Sequence, residues 1–382
     1  METLNYANFS LSLHQKIEGR RIPLGGVIEV THRCPLKCVH CFNNLPAENS
    51  QIRSRELSSG ELCRVLDEMA EAGCLWLLFT GGEILARKDF LNVYAHAKRK
   101  GLLITLFTNG VLLTEEIAAF LAGMPPFVIE ITLYGRTPET YERITRVPGS
   151  FERCMRGIRL LKDHGLPLKL KTMVVSVNKH EIWEMKRFVE EDLGLEFRFD
   201  AMINPRIDNS HNPLAFRLTP EEVIGLDLQD PKRMAEWKSF TQRFNGPVHP
   251  PEKADELYHC GAGINSFSID PYGRLSVCVL SRGDAFDLRK GSFQEGWEGF
   301  LSKVRHKKIT RHTKCTDCEI KAMCGMCPAN GELENRDGEE PIDFFCQVAH
   351  MRSRALGLQV KPHGECEYCK REGTNWNNGI VE

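Results

Sequence analysis

Three cysteines, Cys34, Cys38 and Cys41, lie within eight residues near the start of this chain, directly after the apolar run 26–31. Three thiolates so close together can hold one metal centre and leave one coordination position open, where a co-substrate can bind. A structural zinc ion completed by His32 or His40 is the alternative that the same spacing allows. The loop is therefore predicted to be a metal centre, either catalytic or structural.

Cysteine is frequent throughout the chain: the 382 residues include 15 cysteines, most of them clustered or paired. No secretory signal precedes them, and in a reducing compartment clustered cysteines bind metal or carry out redox chemistry. Cys63, Cys74 and Cys154 stand alone in the sequence and are predicted to be small core residues. Cys366 and Cys369 are expected to be a reduced pair in a mobile tail.

Charge and hydropathy exclude several classes of partner. The chain has a net charge of −1, and no apolar run approaches the length of about 20 residues that crosses a bilayer. These features predict no nucleic-acid partner and no membrane partner. They favour a cytoplasmic protein, in which 42% hydrophobic residues can form a core of ordinary size.

Residues 26–201 alternate between short β-rich apolar runs and longer segments with helical periodicity. This alternation predicts an α/β fold whose parallel strands are joined by right-handed crossovers, either an incomplete (β/α) barrel or an open wound sheet. The predicted strands are Gly26–Thr31, Leu75–Thr80, Leu103–Thr108, Phe127–Leu133, Leu168–Val175 and Glu196–Ala201. The predicted helices are Ser59–Ala72, Asp89–Lys100, Thr114–Leu121, Phe151–His164 and Ile182–Leu193.

Polar or glycine-rich residues follow four successive predicted strands. The first strand leads into the cysteine loop, and the second leads into Gly81, Gly82 and Glu83. The third leads into Asn109, and the fourth ends with Thr132. Ligands collect at the carboxyl ends of parallel strands, so these residues are predicted to form one site.

The pattern changes at Asn204, beyond which prolines are frequent and one helix is predicted near Pro231–Phe244. Later the cysteine density rises while periodicity weakens, which is typical of a region held together by metals. Within it, Phe267–Val277 reads as a hairpin that turns at residues 270–273. The predicted organisation is an N-terminal extension (1–24), a barrel (25–204), a bridging region (205–258), a cysteine-rich domain (259–360) and a tail (361–382).

The cysteine loop after the first strand and the Gly-Gly-Glu motif after the second resemble the radical S-adenosylmethionine (SAM) superfamily. The distal cysteines resemble its SPASM extension, with one departure: Cys324 and Cys327 are one residue closer together than in the family pattern. The resemblance covers residues 25–346 approximately. It implies a partial (β/α)6 radical SAM barrel followed by a small cysteine-rich SPASM domain.

By this resemblance, the three loop cysteines would hold a 4Fe–4S cluster that binds SAM at its open iron. Reduction would then cleave SAM to a 5′-deoxyadenosyl radical that removes a hydrogen atom from the substrate. Arg143 can instead be an exposed residue of a helix, and Asn109 can instead serve only to form a turn. The SAM contacts that the family implies are Gly81, Gly82, Glu83, Asn109, Thr132 and Arg143.

The resemblance also implies two auxiliary 4Fe–4S clusters, which makes three clusters in all. The cysteine that often completes the inner cluster in relatives is absent, so an open iron or a non-cysteine ligand is expected, with Asp255, His259, Cys366 and Cys369 as further candidates. The implied outer ligands are Cys315, Cys318, Cys324 and Cys346. The implied inner ligands are Cys260, Cys278 and Cys327.

The leading functional hypothesis is an oxidoreductase that consumes SAM and crosslinks or oxidises a side chain of a ribosomally made peptide or protein. A small-molecule enzyme of tetrapyrrole or redox-cofactor biosynthesis is the alternative within enzymes, and a non-catalytic iron–sulfur carrier is the alternative outside them. The expected partners are a reductant such as flavodoxin or ferredoxin and a peptide substrate. The 24 residues before the first strand are too short for a leader-binding domain, so the expectation is either a separate recognition protein or a substrate without a leader.

No catalytic base is assigned. Some relatives use an aspartate directly after the position of Cys278, but this chain has Val279 there. Asp270 is nearby in sequence, but its predicted role in the hairpin turn is a sufficient explanation for an aspartate at this position.

Overall fold

The computed structural model describes residues 6–244 and 255–370; residues 1–5 of the predicted extension, 245–254 of the predicted bridging region and 371–382 of the predicted tail lie outside this range. In the described part of the chain, no helix is long and apolar enough to cross a membrane. The strands are β1 (Gly25–Glu29), β2 (Arg33–Cys34), β3 (Leu45–Pro46), β4 (Trp76–Thr80), β5 (Leu103–Thr108), β6 (Val128–Thr132), β7 (Leu168–Met173), β8 (Glu196–Asp200), β9 (Ser266–Ile269), β10 (Arg274–Ser276) and β11 (Phe286–Asp287). The helices are α1 (Tyr6–Lys16), α2 (Ser50–Arg53), α3 (Ser59–Glu71), α4 (Phe90–Arg99), α5 (Glu115–Gly123), α6 (Pro138–Thr145), α7 (Ser150–Asp163), α8 (Ile182–Arg187), α9 (Pro220–Gln229), α10 (Pro231–Phe244), α11 (Ser302–Arg305), α12 (Pro328–Asn335), α13 (Asp343–Ala355) and α14 (Glu367–Lys370).

The core of the molecule is one sheet of nine strands in the order β11-β10-β9-β1-β4-β5-β6-β7-β8. Strands β1 and β4 to β8 run parallel to one another, as predicted. Their bounds agree with the predicted strands to within two residues. Strand β8 is at the edge of the sheet, so the barrel of six strands stays open.

Helix α3 shows how the sequence fixes a helix against this sheet. The Ser58 side chain accepts a hydrogen bond from the backbone N–H of Glu61 (3.2 Å), and Glu61 Oε2 accepts one from the Ser58 N–H (2.7 Å), which together form a capping box. Leu62, Leu66 and Met69 recur at helical spacing and are buried. Full burial of each such side chain contributes about 1.5–3 kcal/mol, so this face turns toward the sheet.

The helices differ from the sequence prediction in several places; α9, α12 and α13, for example, were not predicted. The helix predicted over Ile182–Leu193 begins as α8 and continues as a π-helical segment, Phe188–Asp192. Helix α6 was not predicted, although it starts with a side-chain cap from Thr137 followed by Pro138, because eight residues show little periodicity. Helix α1 was also missed, since it buries none of its residues and shows only weak amphipathic character.

The predicted hairpin is confirmed and extends the barrel sheet. Strand β9 pairs in parallel with β1, and β10 pairs antiparallel with β9. In the turn, Asp270 Oδ1 accepts hydrogen bonds from the backbone N–H groups of Tyr272 (2.9 Å) and Arg274 (3.0 Å). The cysteine-rich region is therefore joined through its hairpin to the strand that leads into the cysteine loop.

A buried carboxylate joins the bridging region to the C-terminal helices. Asp227 on α9 accepts hydrogen bonds from Arg233 on α10 (2.8 Å) and from Arg352 on α13 (2.9 Å). The Arg352 guanidinium also lies over the ring of Trp237, 3.9 Å from the ring centroid. Breaking a buried pair of this kind costs about 3–5 kcal/mol, so these contacts anchor α13 firmly.

Candidate active site and metal centres

The loop between β1 and α2 gathers Cys34, which is buried, with Cys38 and Cys41, which are half-buried. Burial raises the pKa of all three thiols, and the charges of neighbouring thiols raise that of Cys38 further. The Leu36 N–H and the Asn109 side-chain amide donate hydrogen bonds to Cys34 Sγ (3.4 and 3.5 Å). Buried thiolates need a cation, and these N–H donors support the anionic sulfur, so the loop fits a metal centre.

The loop thiols do not converge on a single point. Among the described residues, one group of three or more His, Cys, Asp or Glu side chains has its ligand atoms within 4.8 Å of one another, and that group lies elsewhere. His32 Nε2 lies 3.4 Å from Glu29 Oε1, and the His40 ring packs edge-on against Tyr134. Wider spacing suits several irons, each bound by a different thiolate, better than one zinc ion completed by a histidine.

The two glycines of the Gly-Gly-Glu motif lie against the backbone of the cysteine loop. The Gly82 N–H donates a hydrogen bond to the Thr31 carbonyl oxygen (2.7 Å). Gly81 has a φ of +142°, and a Cβ there would lie 2.1 Å from the Thr31 carbonyl oxygen. A Cβ on Gly82 would lie 2.5 Å from the carbonyl oxygen of His32. Only glycine allows this approach, so the motif fixes the position of the loop.

Glu83 is buried at the end of β4, with 1% of its surface exposed. Its carboxylate accepts hydrogen bonds from Thr108 Oγ1 (2.7 Å), the Asn109 N–H (2.8 Å) and the Leu85 N–H (3.2 Å). Burial raises the pKa of Glu83 in spite of these bonds. The structure thus brings Glu83, Asn109 and Cys34 together through direct contacts, as expected for residues at adjacent strand ends.

The two remaining predicted SAM contacts lie further along the sheet. Thr132 ends β6 and is half-buried, with its backbone in register with Lys171 on β7. Arg143 is exposed in the last turn of α6. The structure therefore places Thr132 at a strand end, and places Arg143 on an exposed helix face. A SAM contact remains a prediction for both.

A buried polar group at the cysteine loop was missed in the sequence. Glu29 is 0% exposed, and it accepts hydrogen bonds from Arg282 Nη2 (2.5 Å) and Asn43 Nδ2 (2.7 Å). Burial alone would raise the pKa of Glu29, but His32 and Arg282 lower it overall. The sequence signal that could have revealed this buried group is a glutamate within an otherwise apolar strand. Its partner Arg282 lies in the cysteine-rich region, so the two regions meet at this carboxylate.

The four predicted outer ligands line one small cavity of about 20 Å³. Burial raises the pKa of Cys318 and Cys324 to about 12, and it also raises that of Cys315 and Cys346. A cluster ligand set requires thiols around a common space, and this set meets that requirement, with Cys346 buried and the other three half-buried. The cavity is lined by Cys315, Cys318, Cys324 and Cys346.

The three predicted inner ligands are also near one another. Burial raises the pKa of both Cys278 and Cys327, and the nearby charge of Cys260 raises it further. Cys260, Cys327 and the candidate fourth ligand His259 line a second cavity of about 510 Å³. The other candidate, Asp255, is exposed and binds Lys308 Nζ at 2.8 Å.

The expectation of a mobile tail is wrong for Cys366 and Cys369. These thiols are 1% and 9% exposed, and they pack in one small cluster with Val360 and Tyr368. Of the isolated cysteines, Cys74 and Cys154 are buried as predicted, and Cys63 is half-buried on α3.

Two curated relatives show the range of similar proteins. The chain is 33% identical over 336 residues to an AdoMet-dependent heme synthase of Methanosarcina barkeri, an alignment that covers 83% of this chain and 95% of the relative. It is 35% identical over 163 residues to a PqqA peptide cyclase of Granulibacter bethesdensis, which covers 43% of each chain.

Solved structures and a family model complete the comparison. Streptococcus suis SuiB bound to its precursor peptide SuiA superposes with a TM-score of 0.64 at 17% identity, over 86% of this chain and 79% of SuiB, which shows the same fold. The model of the radical SAM superfamily matches residues 28–189. The family match, the full-length relative and the cysteine-rich region together identify the chain as an enzyme of the radical SAM superfamily with a SPASM-type C-terminal region, a family that uses SAM and a 4Fe–4S cluster.

Proposed function

We propose that this enzyme oxidatively modifies a side chain of a ribosomally made peptide or protein. In this proposal Cys34, Cys38 and Cys41 hold the 4Fe–4S cluster, and Glu83 accepts hydrogen bonds from the amino group of SAM. When bound, the cluster and SAM supply a 5′-deoxyadenosyl radical that takes a hydrogen atom from the substrate. The sets around Cys278 and Cys324 hold one auxiliary cluster each, which makes three clusters per chain.

The protein's own residues have three tasks in this proposal. Gly81 and Gly82 hold the cysteine loop against the end of β4, which fixes the distance between the loop and Glu83. Asn109 connects Glu83 to Cys34, since its N–H binds the carboxylate and its side chain binds the sulfur. The Arg282–Glu29 pair joins the cysteine-rich region to the loop and helps to exclude water from the radical site.

The observation that carries the substrate class concerns the arginines that contact the loop. Arg33 binds Glu56 (2.9 Å), Arg87 binds Asp89 (2.8 Å) and Arg282 binds Glu29 (2.5 Å). Arg206 likewise donates to the Cys41 carbonyl oxygen and to Asn44 Oδ1. A substrate with several carboxylates would need cations that are free to bind it, whereas a peptide side chain would not. The names of the similar PqqA peptide cyclase and peptide-bound SuiB support the same choice.

A tetrapyrrole is the second candidate substrate. One observation favours it: the heme synthase of Methanosarcina barkeri aligns over 95% of its length at 33% identity, whereas the peptide cyclase aligns over 43%. Binding of a tetrapyrrole with propionate groups would require some of the paired arginines to release their present partners.

The test uses the full chain, reconstituted anaerobically with iron and sulfide and reduced with dithionite. It is incubated with SAM and either a deuterium-labelled candidate precursor peptide or an iron porphyrin with labelled propionate groups. We expect deuterium in 5′-deoxyadenosine from the peptide. Transfer from the porphyrin, with none from peptides encoded near the gene, would contradict the proposed substrate.

A further inference from the structure

Four metal-binding side chains lie together at the C-terminal end of the described chain, next to the outer cysteine set, whose cavity His350 and His363 also line. His350, His363, Cys366 and Cys369 bring one ligand atom each to within 4.8 Å of the others. The first three are well buried, and Cys369 is 9% exposed. Buried sulfur and imidazole ligands that converge in this way are characteristic of a metal site.

The distances between the ligand atoms match the edges of a tetrahedron around one ion. Cys366 Sγ lies 3.4 Å from His350 Nε2, and Cys369 Sγ lies 3.9 Å from the same nitrogen. Cys369 Sγ also lies 3.4 Å from His363 Nδ1 and 4.0 Å from His363 Nε2. Zinc bonds of about 2.3 Å to sulfur and about 2.0–2.1 Å to nitrogen give sulfur–nitrogen edges of about 3.5 Å. One ion at the centre therefore reaches both ligand types with small adjustments.

The hydrogen bonding of His363 leaves the correct nitrogen for a metal. Its Nδ1 lies 3.0 Å from the carbonyl oxygen of Lys361, a geometry in which Nδ1–H donates and Nε2 keeps its lone pair. Histidine ligands of metals typically donate their second N–H in this way, which fixes the ring. The His350 and His363 rings stack with 5.7 Å between centroids and 12° between planes.

An iron–sulfur cluster does not fit these contacts. In Rieske clusters two histidines bind one iron and two cysteines bind the other, so the nitrogen and sulfur ligands are separated by the cluster. Here histidine nitrogen and cysteine sulfur approach to 3.4 Å. An S₂N₂ set with such contacts selects a single tetrahedral ion, for which zinc is the usual occupant.

The site lies beside the predicted outer cluster. His350 is four residues after Cys346 on α13, and Cys346 Sγ is 3.9 Å from Cys366 Sγ. Helix α13 is held in place by the Arg352–Asp227 contact, so His350 has a rigid support. The other three ligands come from residues 363–369, which otherwise contribute one short helix, α14.

We propose that His350, His363, Cys366 and Cys369 form a structural zinc site that fastens the C-terminal segment over the outer cysteine set. Four protein ligands leave no open position, so the ion has no catalytic role. The site lies on one side of the cavity that the outer cysteine set lines. This inference does not depend on the proposed substrate.

The experiment measures iron and zinc in the full chain after anaerobic reconstitution, for the wild type and for Cys366→Ala/Cys369→Ala. We expect about one zinc per chain in the wild type and near zero in the double variant, with most of the iron retained. Cys63→Ala is the matched control, since it removes a half-buried cysteine outside all the predicted sites, and it keeps its zinc. A wild type without zinc, or a double variant that keeps its zinc, would overturn the proposal.

A second measurement remains informative if the double variant does not fold. The wild-type chain is produced with cobalt in place of zinc and then loaded with iron. We expect the visible absorption of tetrahedral cobalt bound to thiolates, lost in His363→Ala and retained in His363→Cys, which preserves four ligands. Equal cobalt spectra in all three proteins, or a loss of iron in place of cobalt, would show that these residues do not bind a separate ion.

Discussion

The cysteine loop after β1 and the C-terminal His–Cys group both collect sulfur ligands, but their surroundings differ. The three loop thiols do not all lie within 4.8 Å of one another, and Cys34 contacts Asn109, which in turn binds Glu83. The C-terminal group draws its ligand atoms to within 4.8 Å and includes two histidines. The wider ligand spacing of the cysteine loop suits a multi-iron cluster with an open coordination position. The closer spacing of the C-terminal group suits one ion whose four ligands all come from the protein.

The largest effect is expected from removal of all three loop thiols. In Cys34→Ala/Cys38→Ala/Cys41→Ala, 5′-deoxyadenosine production should fall by at least about 100-fold, because the electron for SAM cleavage has no route to the sulfonium. Iron should fall by about four atoms per chain while zinc stays constant. Chromatography of the products and metal analysis check both outcomes. Loss of zinc from this variant would show that the two sites are not independent.

The next effect concerns the contact between the loop and the cysteine-rich region. Arg282→Met leaves the fully buried Glu29 without its guanidinium partner, and we expect the free energy of unfolding to fall by about 3 kcal/mol. Denaturant titration of the reconstituted chain measures this loss. The matched control is Arg198→Met, which breaks an exposed pair with Glu196 and should have a much smaller effect. Equal losses in the two variants would argue against a buried ionic contact.

A smaller effect is expected from a single added methyl group at the base of the loop. In Gly82→Ala the new Cβ would lie 2.5 Å from the His32 carbonyl oxygen, so the loop must move. We expect a loss of about 1–3 kcal/mol in stability together with weaker SAM binding. Gly60→Ala on α3 is the control, because a Cβ there meets nothing within 4 Å. SAM affinity that stays unchanged in Gly82→Ala would separate the motif from the SAM site.

The smallest effect is expected at Arg143. This side chain is exposed on α6, so its replacement by alanine should leave stability unchanged. If it contacts the carboxylate of SAM, as the family implies, the KM for SAM should rise about three- to tenfold, which corresponds to about 1 kcal/mol. Glu139→Gln on the first turn of the same helix provides the control. An unchanged KM would assign Arg143 to the surface alone.

The sequence predicted the barrel strands well because their signals are local. Each strand is a short apolar run ended by glycine or polar residues, and burial on the sheet enforces that pattern. The pairing of β9 with β1 could not be predicted, because it joins residues about 240 positions apart and leaves no local periodicity. The Glu29–Arg282 contact was missed for the same reason.

The C-terminal site was partly visible in the sequence. Cys366 and Cys369 have the spacing of a zinc knuckle, but their histidine partners have no regular spacing with them. His350 lies inside a helix, where a histidine is usually explained by packing, and His363 lies in a loop. Only the return of residues 363–369 to the face of α13 brings the four ligands together.

Iron, acid-labile sulfide and zinc per wild-type chain, measured on one anaerobically reconstituted sample, test the contrast between the two kinds of site most directly. We expect about twelve irons with matching sulfide, from three clusters, and about one zinc. About four irons with two or more zinc ions would contradict it, because the distal cysteines would then bind zinc as well and ligand spacing would not distinguish the sites.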